Sequence, residues 1–488
     1  MEQLHRILPA SPVETLDDYV AGGGGRALEL ARSEPPDQVL DRLDAAGLRG
    51  RGGAGFPLSR KWRTVMANEA FEAKASIVVN AAEGEPGSFK DRAILRSNPY
   101  HVLEGALIGA HVVDASEVIF GCKRTDTESI ARLEAAIDEM RAAGWFGAVD
   151  VRVFAGPSEY LYGEETALLE TIDGRYPFPR IAPPYRRGVE EVVDHAEDVT
   201  ANTSSAAHIE MAGADHVAAP TLASNVETFA NVPCIVIEGP DWFREHGTED
   251  SPGTIVCTVS GDTVRAGVAE VAMGTTLRDL IETVGGGVPA GREIAAVMSG
   301  VSNPLITGDQ LDVPLTYEDM RGIGAGLGCA GFIVFDDLTD FTAVAAGVAR
   351  FLAVESCGQC NACKSDGLAI SGLLAKLCSD AAGPSDLREL EASLATVAEG
   401  ARCNLPYQTQ AVVGSIFDLF DDEIAQHRDK TGANSEPTFI AAILELADGT
   451  AQLDARQAQK QPDWTYDETD SGQWPADRLD DHRAHDTL

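Results

Sequence analysis

A chain of 488 residues is longer than one hydrophobic core organises, so two to four domains are expected. Its 77 acidic residues against 38 basic ones leave a formal charge of -39, and only eight of the basic residues are lysines. Such a surface repels phosphate backbones and anionic lipid, which argues against nucleic acid or membrane binding through a basic patch. The acid is spread along the chain, a pattern expected of a protein kept soluble in concentrated salt, where screening acts over a few ångströms.

No stretch approaches the ~18 apolar residues of a membrane span, so no direct membrane insertion is expected. The first twenty residues carry Asp and Glu and lack the apolar centre of a signal peptide, which points to a cytoplasmic protein. Nine cysteines, an odd number, favour free thiols and metal ligands over a disulfide framework.

The first ~240 residues alternate helical and strand patterns, as an α/β domain should. Ile77 to Val79, Val118 to Phe120, and the alternating Val149, Val151 and Val153 read as strands. Ile130, Leu133, Ile137 and Met140 share a helical face after a cap at Asp126 or Thr127. Between about Thr254 and Asp336 the texture changes to short strands around one helix, Thr276 to Val284, which suggests a β-grasp-like domain. From Leu338 to about Gln426 the pattern is helical, with an apolar face through Phe341, Val344, Val348 and Phe351. The expected domains are 1–245, 250–337, 338–430 and, after a last helix near Phe439 to Leu446, an acidic and largely disordered tail at 431–488.

Cys357, Cys360 and Cys363 follow one another at spacings of three, with Gly358 permitting the turn. Three thiolates in one tight loop suit three corners of a 4Fe–4S cubane, which then needs a fourth ligand. A bacterial ferredoxin run would place it a few residues on, where Asp366 and Gly367 stand. Cys403, before Asn404-Leu405-Pro406, is the chosen fourth ligand because it opens the next loop of the helical region. Cys378, among Leu373, Leu374 and Leu377, is the rival, and there a buried free thiol is the simpler reading. Zinc on the same thiols is the competing metal, although no His pair lies nearby. Cys122, Cys234, Cys257 and Cys329 read as core thiols.

Gly50, Gly52 and Gly55 formally match G-x-G-x-x-G, but the residues before them read as an amphipathic helix and not as the strand a dinucleotide turn requires. The loop can still cradle an anion through its backbone N–H groups, with the helix from Ser59 to Asn68 aimed at it and Arg49, Arg51 and Lys61 adding charge. A flexible turn with solvated arginines is the alternative. Asn80 to Arg92, including Glu83 and Glu85, follows a strand directly, where ligands of open α/β sheets gather; a plain turn at Pro86-Gly87 is the bland account. Tyr160 to Leu169 opens a helix in which Glu164 and Glu165 could merely complement the dipole. Ser224 to Thr228 opens another and offers amide and hydroxyl groups.

Taken in order, LRGRGGAGFP, NAAEGEPGSFKDR, YLYGEETALL, ASNVETF, ESCGQCNACK and the lone Cys403 resemble the NADH-binding flavoprotein subunit of complex I and related diaphorase subunits, over about residues 15 to 425. The resemblance implies a Rossmann-like domain binding FMN and NADH, a β-grasp (SLBB-like) domain, and a helical bundle carrying one 4Fe–4S cluster. By position it implies that Gly50, Arg51, Gly52, Gly53, Gly55, Phe56 and Lys61 contribute to the nucleotide and flavin site, with Phe56 as a stacking ring. Asn80, Tyr160, Gly163, Asn225 and Thr228 would hold FMN, and Glu85, Glu164 and Glu165 would face the nicotinamide nucleotide. The implied activity is hydride transfer from NADH to FMN, then single electrons to the cluster and on to a thioredoxin-like 2Fe–2S subunit, a larger iron–sulfur subunit, or both. No acid or base residue is required.

Four positions depart from the family pattern: Ala82 and Ser224 replace polar residues, Tyr185 stands for a phenylalanine that it can replace in stacking, and Thr64 stands for an aromatic. An insertion over about 188–217 adds His195, His208 and His216 at spacings that fit no standard metal site. A formate dehydrogenase or hydrogenase subunit with another donor or the reverse direction, and a non-enzymatic iron–sulfur docking paralogue, are the competing readings.

Overall fold

The computed structural model describes residues 3–67, 74–181 and 220–478, so Tyr185 and the inserted histidines lie outside the described residues. Helices α1 (Leu16–Ala21), α2 (Arg26–Ser33), α3 (Pro36–Ala46) and α4 (Leu58–Ala67) precede strand β1 (Ala75–Ala81). Ile77, Val78 and Val79 are all fully buried, as a continuous apolar run is in a parallel strand covered on both faces. Helices α5 (Lys90–Ser97) and α6 (Pro99–Val112) lead to β2 (Ala115–Lys123). Helix α7 (Thr127–Ala142), capped by Asp126, one of the two caps its sequence offers, leads to β3 (Asp150–Gly156). A single 3-10 turn, Tyr160–Gly163, precedes α8 (Glu165–Ile172). Strand β4 (Thr221–Asn225) runs into α9 (Val226–Glu238) and α10 (Pro240–Arg244). The four strands form one parallel sheet in the order β3-β2-β1-β4, which leaves the carboxyl ends of β1 and β4 side by side.

A second, mixed sheet follows: β5 (Thr254–Gly261), β6 (Gly267–Ala272), β7 (Ile294–Ser299), β8 (Ile306–Thr307) and β9 (Gly331–Asp336), in the order β6-β5-β9-β7-β8. Among these described strands only the β5–β9 pair is parallel. The helix expected from Thr276 is present as α11 (Leu277–Leu280), capped by the Thr276 hydroxyl and widened into a π turn at Ile281–Gly285; α12 (Tyr317–Gly322) lies between β8 and β9. The helical region comprises α13 (Phe341–Glu355), α14 (Asn361–Cys378), α15 (Pro384–Thr396), α16 (Leu405–Leu419) and α17 (Asp421–Arg428). Phe341, Val344, Val348 and Phe351 are buried on the expected face of α13.

The tail departs from expectation. Instead of a helix near Phe439 to Leu446 and disorder beyond, Ile443–Ala447 (β10) pairs antiparallel with Thr450–Leu453 (β11). Asp448 and Gly449 both take positive φ, 51° and 73°, the two-residue turn that an Asp-Gly pair favours because it matches strand twist. The chain then runs in short turns to residue 478, holding Trp464 and Lys460 buried.

Helices α6 and α9 approach closely at Gly105, where an added Cβ would lie 2.0 Å from the Phe229 carbonyl oxygen. Backbone cannot yield as a side chain can, so Gly105→Ala is expected to cost about 2–3 kcal/mol, read as a lower urea midpoint with an unchanged slope. Glu423 supplies a second test. Burial and then Asp340 push its carboxyl up to about 7, against an ordinary 4.5. The stability it contributes is therefore full below about 4.5 and is lost as pH rises through about 7. Glu423→Gln mimics the protonated state and is expected to melt roughly 2–4 °C above the wild type at pH 8, with the gap nearly closed at pH 5.

Candidate functional site

The carboxyl ends of β1 and β4 open onto a cavity of about 620 Å³, a size that suits a nucleotide cofactor. Asn80, at the end of β1, donates from Nδ2 to the Gly163 carbonyl at 2.9 Å and so ties the strand to the Tyr160–Gly163 turn. The chain then turns back at Glu85-Pro86-Gly87-Ser88, where the Ser88 N–H donates to the Glu85 carbonyl at 3.1 Å and Gly87 takes φ 85°. That geometry is the type II turn, with the glycine where φ must be positive.

Glu85 is held by three donors: the Tyr160 hydroxyl at 2.5 Å, the Val301 N–H at 2.7 Å and the Ser302 hydroxyl at 2.6 Å. Burial raises its pKa and these hydrogen bonds oppose the rise. Glu83 has a different task. It accepts from the Ser88 hydroxyl at 2.6 Å and from the Asp91 and Arg92 N–H groups at 3.2 and 3.1 Å, capping α5 where its dipole is positive. Burial and then Asp91 raise its pKa.

Lys90 is fully buried between Asp91 at 2.8 Å, Glu227 at 2.9 Å and the Asn225 amide oxygen at 3.0 Å. Burial works against its charge, but Asp91 and Glu227 outweigh burial and hold the ammonium well above its ordinary range. Asn225 also donates to Asp91 at 2.7 Å and caps α9. Ser224, half-buried, pairs with Val79 in the sheet.

The glycine loop is a closed excursion between α3 and α4. The Gly50 N–H donates to the Phe56 carbonyl at 2.8 Å, and the Leu58 N–H donates to the Leu48 carbonyl at 3.0 Å. Gly52 and Gly53 line the cavity; Gly50, Arg51, Gly55, Phe56 and Lys61 do not. An added Cβ at Gly55 would meet the Tyr317 ring at 2.6 Å. The buried Arg51 guanidinium turns away, toward the Thr254 and Pro252 carbonyls and the Tyr317 hydroxyl, and the Arg51 backbone N–H donates to the Thr228 hydroxyl at 2.9 Å. Arg51 and Thr228 therefore clamp the loop. Lys61 pairs with Glu165 at 2.7 Å, and Phe56 is half exposed beneath Arg60. Glu164 caps α8, accepting from Ala167 N–H at 2.8 Å and Thr166 Oγ1 at 2.5 Å, yet still lines the cavity; burial raises its pKa.

Cys357, Cys360, Cys363 and Cys403 line one narrow second cavity. Cys378 stands apart, fully buried at the end of α14. Burial pushes the Cys357 and Cys403 thiols up and that of Cys363 to about 11. Among the described residues no three Cys, His, Asp or Glu groups converge tightly enough for a single metal ion. Four thiols around one shared void match the all-cysteine ligation of an iron–sulfur cluster. Lys364 crosses behind the loop and donates to the carbonyls of Ala353 and Ser356 at 2.9 and 2.8 Å.

The two cavities share a wall made of Leu161, Cys403 and Leu405. Sequence reasoning missed several residues that complete the larger one: Ser302, Asn303 and Arg321 from the mixed-sheet region, Gln408 from α16, and Cys329, which lines the cavity and is not a plain core thiol. None sits in a motif, and all arrive through contacts distant in sequence. Lys90 and Asp91 did stand in a quoted motif, and their acid–base alternation was the available signal.

The pattern of the Nuo51 FMN-binding domain matches residues 43–234, and that of the NADH-ubiquinone oxidoreductase-F iron-sulfur binding region matches residues 343–427. The chain is 36% identical over 359 residues to an F-type subunit of the NADH-quinone oxidoreductase of Rhizobium meliloti, the one numbered 2, covering 72% of this chain and 79% of that protein. It is 32% identical to the F-type subunit of the same oxidoreductase in Streptomyces coelicolor, covering 88% and 91%. The chain belongs to the family of F-type subunits of NADH-quinone oxidoreductase. A hydrogenase branch is also similar: the NADP-reducing hydrogenase subunit HndC of Solidesulfovibrio fructosivorans is 32% identical, covering 85% of this chain and 81% of that one. A solved NAD+-reducing [NiFe]-hydrogenase in its H2-reduced state superposes with a TM-score of 0.71 at 30% identity, covering 86% of this chain but 66% of the hydrogenase chain.

The family's FMN and 4Fe–4S cluster fit what the two cavities present: glycine backbone, amides and buried carboxylates in one, four thiols in the other. Ala82, where the family pattern has an aspartate, is buried on the larger cavity's wall and adds no polar group there. The narrow cavity includes Cys403 and not Cys378. Cys403→Ala is expected to lower iron and sulfide content severely, whereas Cys378→Ala is expected to leave both at wild-type levels, measured on anaerobically purified protein.

Proposed function

We propose that this chain is the NADH-oxidising subunit of a larger redox assembly, using FMN and one 4Fe–4S cluster and delivering electrons to an iron–sulfur partner subunit. The observation that carries this reading is the shared wall: Cys403 lines both the cofactor cavity and the thiol cavity. When bound, FMN supplies two-electron acceptance from a hydride donor with one-electron release, and the cluster supplies a one-electron station.

The residues of the chain provide position. Gly52, Gly53 and Gly328 let a flat or phosphorylated ligand approach backbone, while Asn80 and Asn225 fix the strand ends beneath it. Arg321, exposed on the wall, is suited to a phosphate. Glu85 and Tyr160 are half-buried and engaged with each other, so neither is a loose proton donor beside the reacting atoms. Cys357, Cys360, Cys363 and Cys403 would be the cluster ligands. The parallel four-stranded sheet supports a Rossmann-like reading of 1–245, and the mixed sheet with its single parallel pair supports a β-grasp reading of 250–337. Nine free cysteines suit a reducing, cytoplasmic setting on the periphery of a larger complex. Among the described residues no helix is long and apolar enough to cross a membrane.

The likeness to the NAD+-reducing hydrogenase favours a second reading, the same cofactors run in the direction of NAD+ reduction. Anaerobic titration with NADH, followed by absorption and EPR together, tests both. Flavin bleaching with a reduced-cluster EPR signal is the expected result. Flavin that stays oxidised under excess NADH contradicts the proposal, and a cluster-bearing protein isolated without flavin identifies a docking subunit instead.

A further inference from the structure

The matched iron–sulfur region ends at residue 427, yet the chain beyond it returns to the cluster loop. The Thr438 N–H donates to the Ala343 carbonyl at 2.9 Å, and Arg350 of α13 donates to the carbonyls of Gln457 and Ala458 at 3.1 and 2.9 Å. The Trp464 indole donates to the Val354 carbonyl at 2.9 Å, and the Ala476 N–H donates to the carbonyl of Cys357 itself at 2.9 Å. Trp474 lies so close over Gly358 that an added Cβ there would come within 2.7 Å of it. Asp463 and Arg478, 2.7 Å apart, tie the segment to itself.

At the centre of this strap Lys460 donates to both carboxylate oxygens of Glu355 at 2.9 and 2.8 Å, with 1% and 2% of the two residues exposed. Glu355 ends α13 two residues before Cys357 and also accepts the Tyr160 N–H at 3.0 Å. Tyr160 in turn donates to Glu85 in the cofactor cavity. One lysine from outside the matched region thus terminates a chain of polar contacts that passes two residues from Cys357 and ends in the cofactor cavity. Two other buried cations lie near Glu355, namely Lys123 and Lys364, and Glu159 is the further carboxylate close to Lys460.

We propose that Lys460 is a positioning residue for electron transfer: by neutralising Glu355 it holds Tyr160 and the Cys357 loop in place and sets the charge beside the cluster. The inference rests on the cofactor reading above. Cluster potentials follow net charge and the groups around the thiolates, and a bare carboxylate two residues from a ligand disfavours an added electron.

The test is an EPR-monitored redox titration of the full-length, cluster-loaded chain with dithionite and mediators, which does not depend on NADH. Lys460→Met is expected to shift the cluster couple to more negative potential, with the reduced-to-oxidised ratio at fixed potential falling about tenfold, or about 59 mV for one electron. Lys460→Arg should stay near the wild type, and the double variant Glu355→Gln with Lys460→Met should return toward it. A wild-type potential in Lys460→Met with full iron content overturns the inference. If that variant cannot hold a cluster, the double variant decides: a cluster near wild-type potential supports the inference, and a missing or Lys460→Met-like cluster overturns it. A wild-type chain without a reducible cluster overturns the cofactor reading and this inference with it, whereas a normal wild-type cluster with unmoved variants overturns this inference alone.

Discussion

Four segments of the chain meet around one half-buried carboxylate. Glu85 comes from the loop after β1, Tyr160 from the turn after β3, and Val301 and Ser302 from the loop after β7, while Gln408 of α16 donates to both the Tyr160 hydroxyl and Ser302, each at 3.0 Å. A carboxylate taken from water is costly unless its oxygens are satisfied, and here the donors come from different elements. If the mixed sheet shifted against the parallel sheet, one Glu85 oxygen would lose both of its donors, Val301 and Ser302, while Gln408 ties the helical region to the two hydroxyls that hold the carboxylate. The shape of the cofactor cavity, whose wall these residues form, is thereby coupled to the packing of parallel sheet, mixed sheet and helical region against one another.

That coupling explains the division between what was legible in the sequence and what was not. Cys357, Cys360 and Cys363 are adjacent in sequence because a tight loop must present them together, so their chemistry is readable from spacing. Asn80 is readable because it ends a strand, where the α/β arrangement gathers ligands, and Asn225 because it opens a helix, although the strand before it is seen only in the fold. Arg51 is the opposite case. Its motif marks it as important, but only the fold reveals that its guanidinium binds the Thr254 and Pro252 carbonyls instead of facing the cavity. Glu83 lines the cavity as its position suggests, but its carboxylate is also engaged as a helix cap, which only the fold reveals. Ser302 and Gln408 carry no local signal at all, since their meaning comes from partners more than a hundred residues away. The Asp448-Gly449 turn, by contrast, was a local signal that outranked the helical reading given to the residues before it.

The shared wall between the cavities is the second consequence of the same packing. Leu161 follows Tyr160 directly, and Leu405 follows Cys403 by two, so the residues that bound the cofactor cavity also bound the thiols. Apolar Leu161 and Leu405 flank the Cys403 sulfur in this wall, so what separates the two cavities there is dry. The turn at Tyr160–Gly163 is short because Asn80 pins its end and Glu355 pins its beginning, each through a backbone atom. Placement of the flavin cavity and placement of the cluster loop are thus one structural decision.

The distribution of lysine gives the electrostatic side of the argument. A chain with formal charge -39 and only eight lysines could be expected to spend them on its surface, yet Lys90, Lys123, Lys364 and Lys460 are all at most 5% exposed. Three have a buried counterpart: Asp91 and Glu227 for Lys90, Glu355 for Lys460, and backbone carbonyls at the end of α13 for Lys364. Lys123 has no such partner among the described residues, and burial depresses its pKa to about 8 although Glu355 opposes the shift. Its amine packs against Gly84, between the two glutamates of the cofactor loop, where an added Cβ would meet it at 2.0 Å. The acidic exterior therefore coexists with an interior that holds four of the eight lysines. Surface acid keeps such a chain dispersed in salt, but the reaction adds electrons inside, where screening ions do not reach, and only built-in positive charge can offset them there.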